Sequence, residues 1–131
     1  MPFTPEELTY FNSQHLGRVA TASLSGVPDV APVTFTITEV GAIEIHGLDL
    51  PNTLKWKNAL ATGKAAFVVD DLATTDPWRP RGVKVRGRVD ADVTGERPVM
   101  RIHPDVIWSW GINPDAEKHF AGLIERRTVG D

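Results

Sequence analysis

The sequence predicts a mainly β fold, an antiparallel six-stranded barrel with short helices at its periphery. Three observations carry this expectation. VKVRGRVDADV (83–93) alternates valine and alanine on one face with lysine, arginine and aspartate on the other, the two-residue period of a half-buried strand. RVATASL (18–24) and DVAPVTFTIT (29–38) flank Ser25-Gly26-Val27-Pro28, which reads as a hairpin turn. The elements run helix, three strands, helix, then several longer strands, without the βαβ alternation of a parallel sheet.

Each element has a local cause. Thr4-Pro5-Glu6-Glu7 opens the first helix with an N-cap, a proline in the first turn and a glutamate that completes a capping box. Leu8 and Phe11 give that helix an apolar edge, and Gly17 ends the segment. In 29–38, Ala31, Val33, Phe35 and Ile37 alternate with Val30, Pro32, Thr34 and Thr36. Pro32 has no N–H for a ladder, so this strand is an edge, is bulged, or turns its backbone to something other than a strand. AIEIHG (42–47) places Ile43 and Ile45 inward and Glu44 and His46 outward.

PNTLKWKNALATGKAAFVVDD (51–71) then reads as a short helix, a stop and a buried strand. Thr53 is the N-cap, Leu54, Trp56, Leu60 and Ala61 form an apolar face, Gly63 is the C-terminal cap, and AAFVV is the strand. Lys55 and Lys57 lie in the first turn, where the helix dipole disfavours cations. Either they snorkel to water, or a phosphate sits on the free N–H groups with Thr53 and Lys55 around it. DDLATTDPWRPRG (70–82) reads as a loop of about a dozen residues, a length usually tied to function, and Trp78 in it calls for a packing site. VMRIHP (99–104) and DVIWSWG (105–111) are two short strands or one bent at Pro104, and the rest is a short capped helix followed by a charged tail.

Bulk properties exclude several classes. The chain has 131 residues, net charge −3 and no cysteine. That length predicts one domain, 1–131, and that charge argues against a general nucleic-acid binder. Without cysteine there is no disulfide scaffold, cysteine-ligated metal or thiol nucleophile, which fits a cytoplasmic protein. No apolar run approaches the ~20 residues of a membrane span, and MPFTPEEL lacks a signal-peptide layout. His15, His46, His103 and His119 show no metal-ligand spacing, and no G-x-S-x-G, G-x-G-x-x-G or P-loop occurs. Arg79, Arg81, Lys84, Arg86 and Arg88 form either a solvated basic face or a docking surface for a polyanionic small molecule. Trp108 and Trp110 point to one side, as core, as a platform for a planar ring, or as part of a dimer interface.

RVATASLSGVPDVAPVTFTI, HG, TLKWKN, AAFVVDD, RGVKVRGRVD and IWSWG, in this order, resemble the pyridoxamine 5′-phosphate oxidase-like split β-barrel flavoproteins. The similarity runs from about Leu8 to about Asn113 and is closer to the actinobacterial branch that uses the deazaflavin coenzyme F-420. The resemblance implies a homodimer with two cofactor sites in clefts between subunits. It implies that Pro32, Val33, Thr34, Phe35 and Thr36 line the ring largely through backbone groups, and that His46 and Gly47 border the ribityl chain. Thr53, Leu54 and Lys55 fall on the family's phosphate clamp, with Lys57 and Asn58 in support, and Trp110 and Gly111 on the pair lent by the second subunit. Leu54 replaces the arginine of the FMN oxidases, and IERRTVGD has no match to their substrate-phosphate residues. Trp78, Arg79 and Arg81 join the cofactor-binding set, and Arg79, Arg81 and Arg86 are expected to meet the oligoglutamate tail that FMN lacks.

The activity implied is hydride transfer from reduced F-420 to a conjugated C=C or imine of a small planar substrate such as a polycyclic enone. His46 or solvent would give the proton. An FMN oxidoreductase of the same fold, or a non-catalytic cofactor- or haem-binding protein, is the alternative.

Overall fold

The computed structural model describes residues 1–113 and 124–130. In chain order these form α1 (Pro5–Asn12), β1 (Gly17–Ala22), β2 (Pro28–Val33), β3 (Thr36–Ile37) and β4 (Ile43–His46). A 3-10 turn (Leu50–Asn52) leads to α2 (Leu54–Thr62), then β5 (Lys64–Thr75), β6 (Trp78–Asp92), β7 (Val99–Trp110) and β8 (Ile124–Thr128). The fold is mainly antiparallel β, with eight strands among the described residues where six were expected. The expected helix after Asn113 falls largely on residues outside the described ones. No helix among the described residues is long and apolar enough to cross a membrane.

The strand order is β2-β1-β5-β6-β7-β4-β3, with β8 also on β7. The two ends of this path, β2 and β3, are consecutive in the chain: Val33 and Thr36 are three residues apart, a reach of about 11 Å. The sheet must therefore curl until its ends approach, yet no ladder joins them, so the barrel is open at this seam. The predicted strand 29–38 is interrupted at Thr34 and Phe35. Its first half pairs with β1 and its second half with β4.

Local signals account for the helix ends. Thr4 caps α1 in a capping box with Glu7, and α2 runs from the Thr53 cap to Gly63, whose φ of 73° is the left-handed cap conformation. The inward face of α2 differs from expectation: Trp56, Asn58 and Ala59 are buried, whereas Leu54, Leu60 and Ala61 are exposed. The core holds a chain of edge-to-face rings, Phe3–Phe11–Phe35–Phe67, with centroids 5.0, 5.8 and 5.1 Å apart. Phe3, Phe11 and Phe67 are buried and Phe35 is half-buried, and full burial of such a ring is worth about 1.5–3 kcal/mol.

Two segments, 70–82 and the C-terminal tail, depart from the sequence reading, and a third, 99–111, takes one of its two readings, all through strand pairing between distant residues. Residues 70–82 are not a loop but the outer half of a β5–β6 ribbon, with Asp71 opposite Arg81 and Leu72 opposite Pro80. Pro80 is tolerated because β6 pairs with β7 only from Gly82 onward, which leaves one ribbon edge without a ladder. Trp78, expected to pack, is 60% exposed at the ribbon's end. β7 runs unbroken through Pro104, since β4 covers 99–102 and β8 covers 106–110 on its other edge, and a bulge opposite Arg86/Gly87 absorbs the proline. The C-terminal tail pairs with β7 as β8, from Val106 opposite Thr128 to Trp110 opposite Ile124, and its Arg127 forms an ion pair with the buried Glu7 of α1.

Candidate functional site

Two grooves collect most of the predicted site residues. The first, about 260 Å³, lies where β2, the end of β4 and the start of α2 converge. Pro32, Val33, Thr34, His46, Gly47, Thr53 and Lys55 line it, together with Ile45, Asp49 and Leu50, which sequence reasoning did not single out. Pro32 belongs to β2, the terminal strand of the sheet path, and is exposed. The outer edge of β2 therefore offers backbone groups to whatever occupies the groove.

The start of α2 supplies the polar end. Thr53 Oγ1 donates to the Leu50 carbonyl at 2.6 Å and accepts from Trp56 N–H at 3.4 Å, while Lys57 N–H already bonds the Thr53 carbonyl at 3.2 Å. The N–H groups of Leu54 and Lys55 remain outside the intrahelical ladder, and Lys55, half-buried, lines the groove. Two unladdered N–H groups, a dipole end and one ammonium make a place for a phosphate. Across the groove His46 is exposed, with Nε2 3.8 Å from Glu44 Oε1, and Glu44 Oε2 accepts from Arg101 Nε at 2.8 Å.

Other members of the predicted set lie elsewhere. Leu54 is 54% exposed and Lys57 is exposed, and neither lines the groove. Asn58 is buried and donates to Thr21 Oγ1 at 3.2 Å, so it ties α2 to β1. The ring of Phe35 belongs to the core stack, which leaves its backbone for any ligand. Thr36 is exposed on β3, opposite Glu44.

The second groove, about 560 Å³, is bounded by α1, the β5–β6 ribbon and residues 111–113. Arg79, Arg81 and Gly111 line it. Gly111 is fixed by geometry: its φ is 68°, and a Cβ there would fall 2.1 Å from the Pro80 carbonyl oxygen. Trp110 packs over Gly82, where a Cβ would lie 2.3 Å from the indole Cζ2.

Arg81 is committed. Its Nε and a terminal nitrogen donate to Asp71 at 2.7 and 2.9 Å, and Asp71 also accepts from Tyr10 (2.9 Å) and Gln14 (3.1 Å). The Arg81 hydrogen bond, foremost among these, holds the Asp71 carboxyl below its usual range, while burial and then the bond to Asp71 push the Tyr10 hydroxyl upward. A guanidinium already neutralised in this way is a poor seat for a polycarboxylate tail. Arg86 lies on the outward face of the sheet, away from both grooves' linings. The signal for the Tyr10–Asp71–Arg81 cluster was present as VVDD and RPRG on either side of an Asp-Pro turn, but it required pairing 70–82 as a ribbon.

No family model matches this chain. Its sequence is 41% identical over 124 residues to the 5a,11a-dehydrotetracycline/5a,11a-dehydrooxytetracycline reductase of Streptomyces rimosus, covering 88% of this chain and 87% of that protein. The chain belongs to the family of that reductase. Solved structures with the same fold as this reductase-family chain include a conserved hypothetical protein of Mycobacterium tuberculosis, with a TM-score of 0.72 at 19% identity over 98% of this chain and 93% of that one. A haem-binding protein of Mycobacterium smegmatis gives a TM-score of 0.70 at 15% identity over 94% of this chain, which spans 55% of that protein. A protein provisionally named a pyridoxamine 5′-phosphate oxidase from Lactobacillus delbrueckii gives 0.63 at 17% identity, covering 81% of this chain and 93% of that one. These three likenesses concern the fold.

Proposed function

We propose that the protein is a reductase that uses a phosphorylated deazaflavin, F-420, to reduce a conjugated C=C or imine of a polycyclic substrate. The observation that carries this reading is the 41% identity, over 88% of the chain, to a reductase acting on dehydrotetracyclines. The first groove suits the cofactor's polar end. Thr53, Lys55 and the unladdered N–H groups of α2 would hold its phosphate, and the edge of β2 from Pro32 to Thr34 would support its ring. The cofactor, when bound, supplies the hydride, and the chain binds, orients and shields the reacting pair. His46, on the same groove, gives the proton to the atom next to the carbon that receives the hydride.

At about 260 Å³ the first groove falls below the ~300–1,000 Å³ of a site enclosing a drug-sized ligand. We assign the remainder of the wall to a second copy of this chain, in a homodimer whose ribbon and Trp110-Gly111 segment face the partner's first groove. Leu54 stands where the FMN oxidases carry a clamp arginine, which weakens the case for FMN held in their manner.

The test is fluorescence titration of the purified protein with F-420, FMN and haem separately, repeated with Lys55→Ala. The expected result is F-420 binding at least tenfold tighter than FMN, about 1.4 kcal/mol, and weakened at least tenfold by Lys55→Ala. Preference for FMN would move the protein to an FMN oxidoreductase, and preference for haem to a carrier. Affinity unaltered in Lys55→Ala would remove the phosphate site.

A further inference from the structure

The outward face of the sheet carries a second concentration of charge that neither groove uses. Lys84, Trp108 and Arg126 are direct cross-strand neighbours on β6, β7 and β8. Lys84 Nζ stands 4.3 Å from the centroid of the Trp108 indole, and the guanidinium carbons of Arg86 and Arg126 stand at 5.4 and 5.7 Å. Other cations of the sheet are answered by carboxylates: Arg18 by Asp70 at 3.3 Å, Arg88 by Asp105 at 2.9 Å, Arg101 by Glu44 at 2.8 Å. Lys84, Arg86 and Arg126 form no ion pair among the described residues. The β7 bulge explains part of the difference, since its extra residue, Asp105, is the one that reaches Arg88.

Beside this trio lies an open depression of about 360 Å³ between β1, β5 and the end of α2. Ala20, Ala22 and Ala66 give it an apolar floor, and Thr62 and the cations Lys64 and Arg86 line it as well. Floor and cations make different demands. A neutral apolar ligand would cover the alanines and leave three cations crowded around one indole. A bare inorganic anion would meet the cations and leave the floor wet. A second copy docked with its two-fold axis through the trio would set the same cations of the two copies against one another.

We propose that this face is a second ligand site, for an amphipathic organic anion: its acid group among Lys84, Arg86 and Arg126 at Trp108, its apolar body on the alanine floor. The site shares no residue with the cofactor groove and stands or falls separately from the reductase reading.

The probe is 8-anilino-1-naphthalenesulfonate, an aromatic body with one sulfonate, titrated against the full chain and followed by its own fluorescence and by energy transfer from tryptophan. One probe per chain is expected to bind, with transfer reduced in Trp108→Phe. Arg86→Ala, an exposed substitution, removes the cation that the depression shares with the Trp108 cluster, and Ala66→Leu fills the depression; each is expected to weaken binding at least tenfold. Lys55→Ala, in the cofactor groove, is expected to leave it unchanged. Octanoate is expected to displace the probe and octanol, at equal concentration, is not. Binding that is absent, that is indifferent to both Arg86→Ala and Ala66→Leu, or that octanol abolishes as well as octanoate does would overturn the proposal.

Discussion

Replacing Arg127 with methionine would take the charged partner away from a buried carboxylate. Glu7 is 1% exposed, and its oxygens accept from Thr4 N–H at 2.9 Å and from both terminal nitrogens of Arg127, one of them at 2.8 Å. Arg127 also donates to the Pro2 carbonyl at 2.7 Å, so this one side chain ties β8 to the N-terminal segment. Removing one partner of a buried pair costs about 3–5 kcal/mol. The Arg127 side chain is 34% exposed, so water entering the vacated space offsets part of that loss. The expected cost is about 2–3 kcal/mol, a fall in midpoint on the order of 10 °C for a domain of this length. Urea unfolding followed by tryptophan fluorescence measures it. The double variant Glu7→Gln/Arg127→Met keeps an acceptor for Thr4 but no buried charge, and should recover about 1 kcal/mol or more. A single variant within about 0.5 kcal/mol of the parent would mean that Glu7 reaches another partner or stays hydrated, and the account of this ion pair would fail.

Two further expectations concern the grooves. His46→Gln should lower kcat by about 10²-fold while cofactor affinity changes less than about twofold, as for loss of a general acid; steady-state rates beside a binding titration decide it, and an unchanged kcat would assign the proton to solvent. Asp71 has a carboxyl held below its ordinary value chiefly by Arg81. The stability it contributes is therefore complete above the unfolded value of about 3.9 and is lost as pH falls through the lower folded one. Urea midpoints measured from pH 5 downward should fall more steeply for the parent than for Asp71→Asn, and parallel curves would show that the carboxylate is not coupled to folding.

What the sequence determined by itself is local, and it is local because the causes lie within one turn or one alternation. The Thr4 box, the Thr53 cap and the Gly63 stop depend on residues at most four positions away, and each forms as read. The alternation in 83–93 needs only the pleat, and of its inward members Val83, Val85 and Gly87 are buried and Val89 and Ala91 half-buried, whereas Val93, past the end of β6, is exposed. The polar end of the first groove was legible for the same reason: a helix N-terminus, its cap and its first lysine are neighbours in the chain. Only the tertiary structure decided which strands meet. Tyr10 and Asp71 are 61 residues apart, and Glu7 and Arg127 are 120 apart. No short-range pattern encodes such pairs, and they turn a supposed loop into a ribbon and a supposed tail into a strand. Pairing also decided which charges are spoken for. Arg81 and Arg86 look equivalent in sequence, yet one faces Asp71 across a ladder and the other faces an indole. The energy of a charge depends on what stands within a few ångströms of it, and only the fold sets that distance.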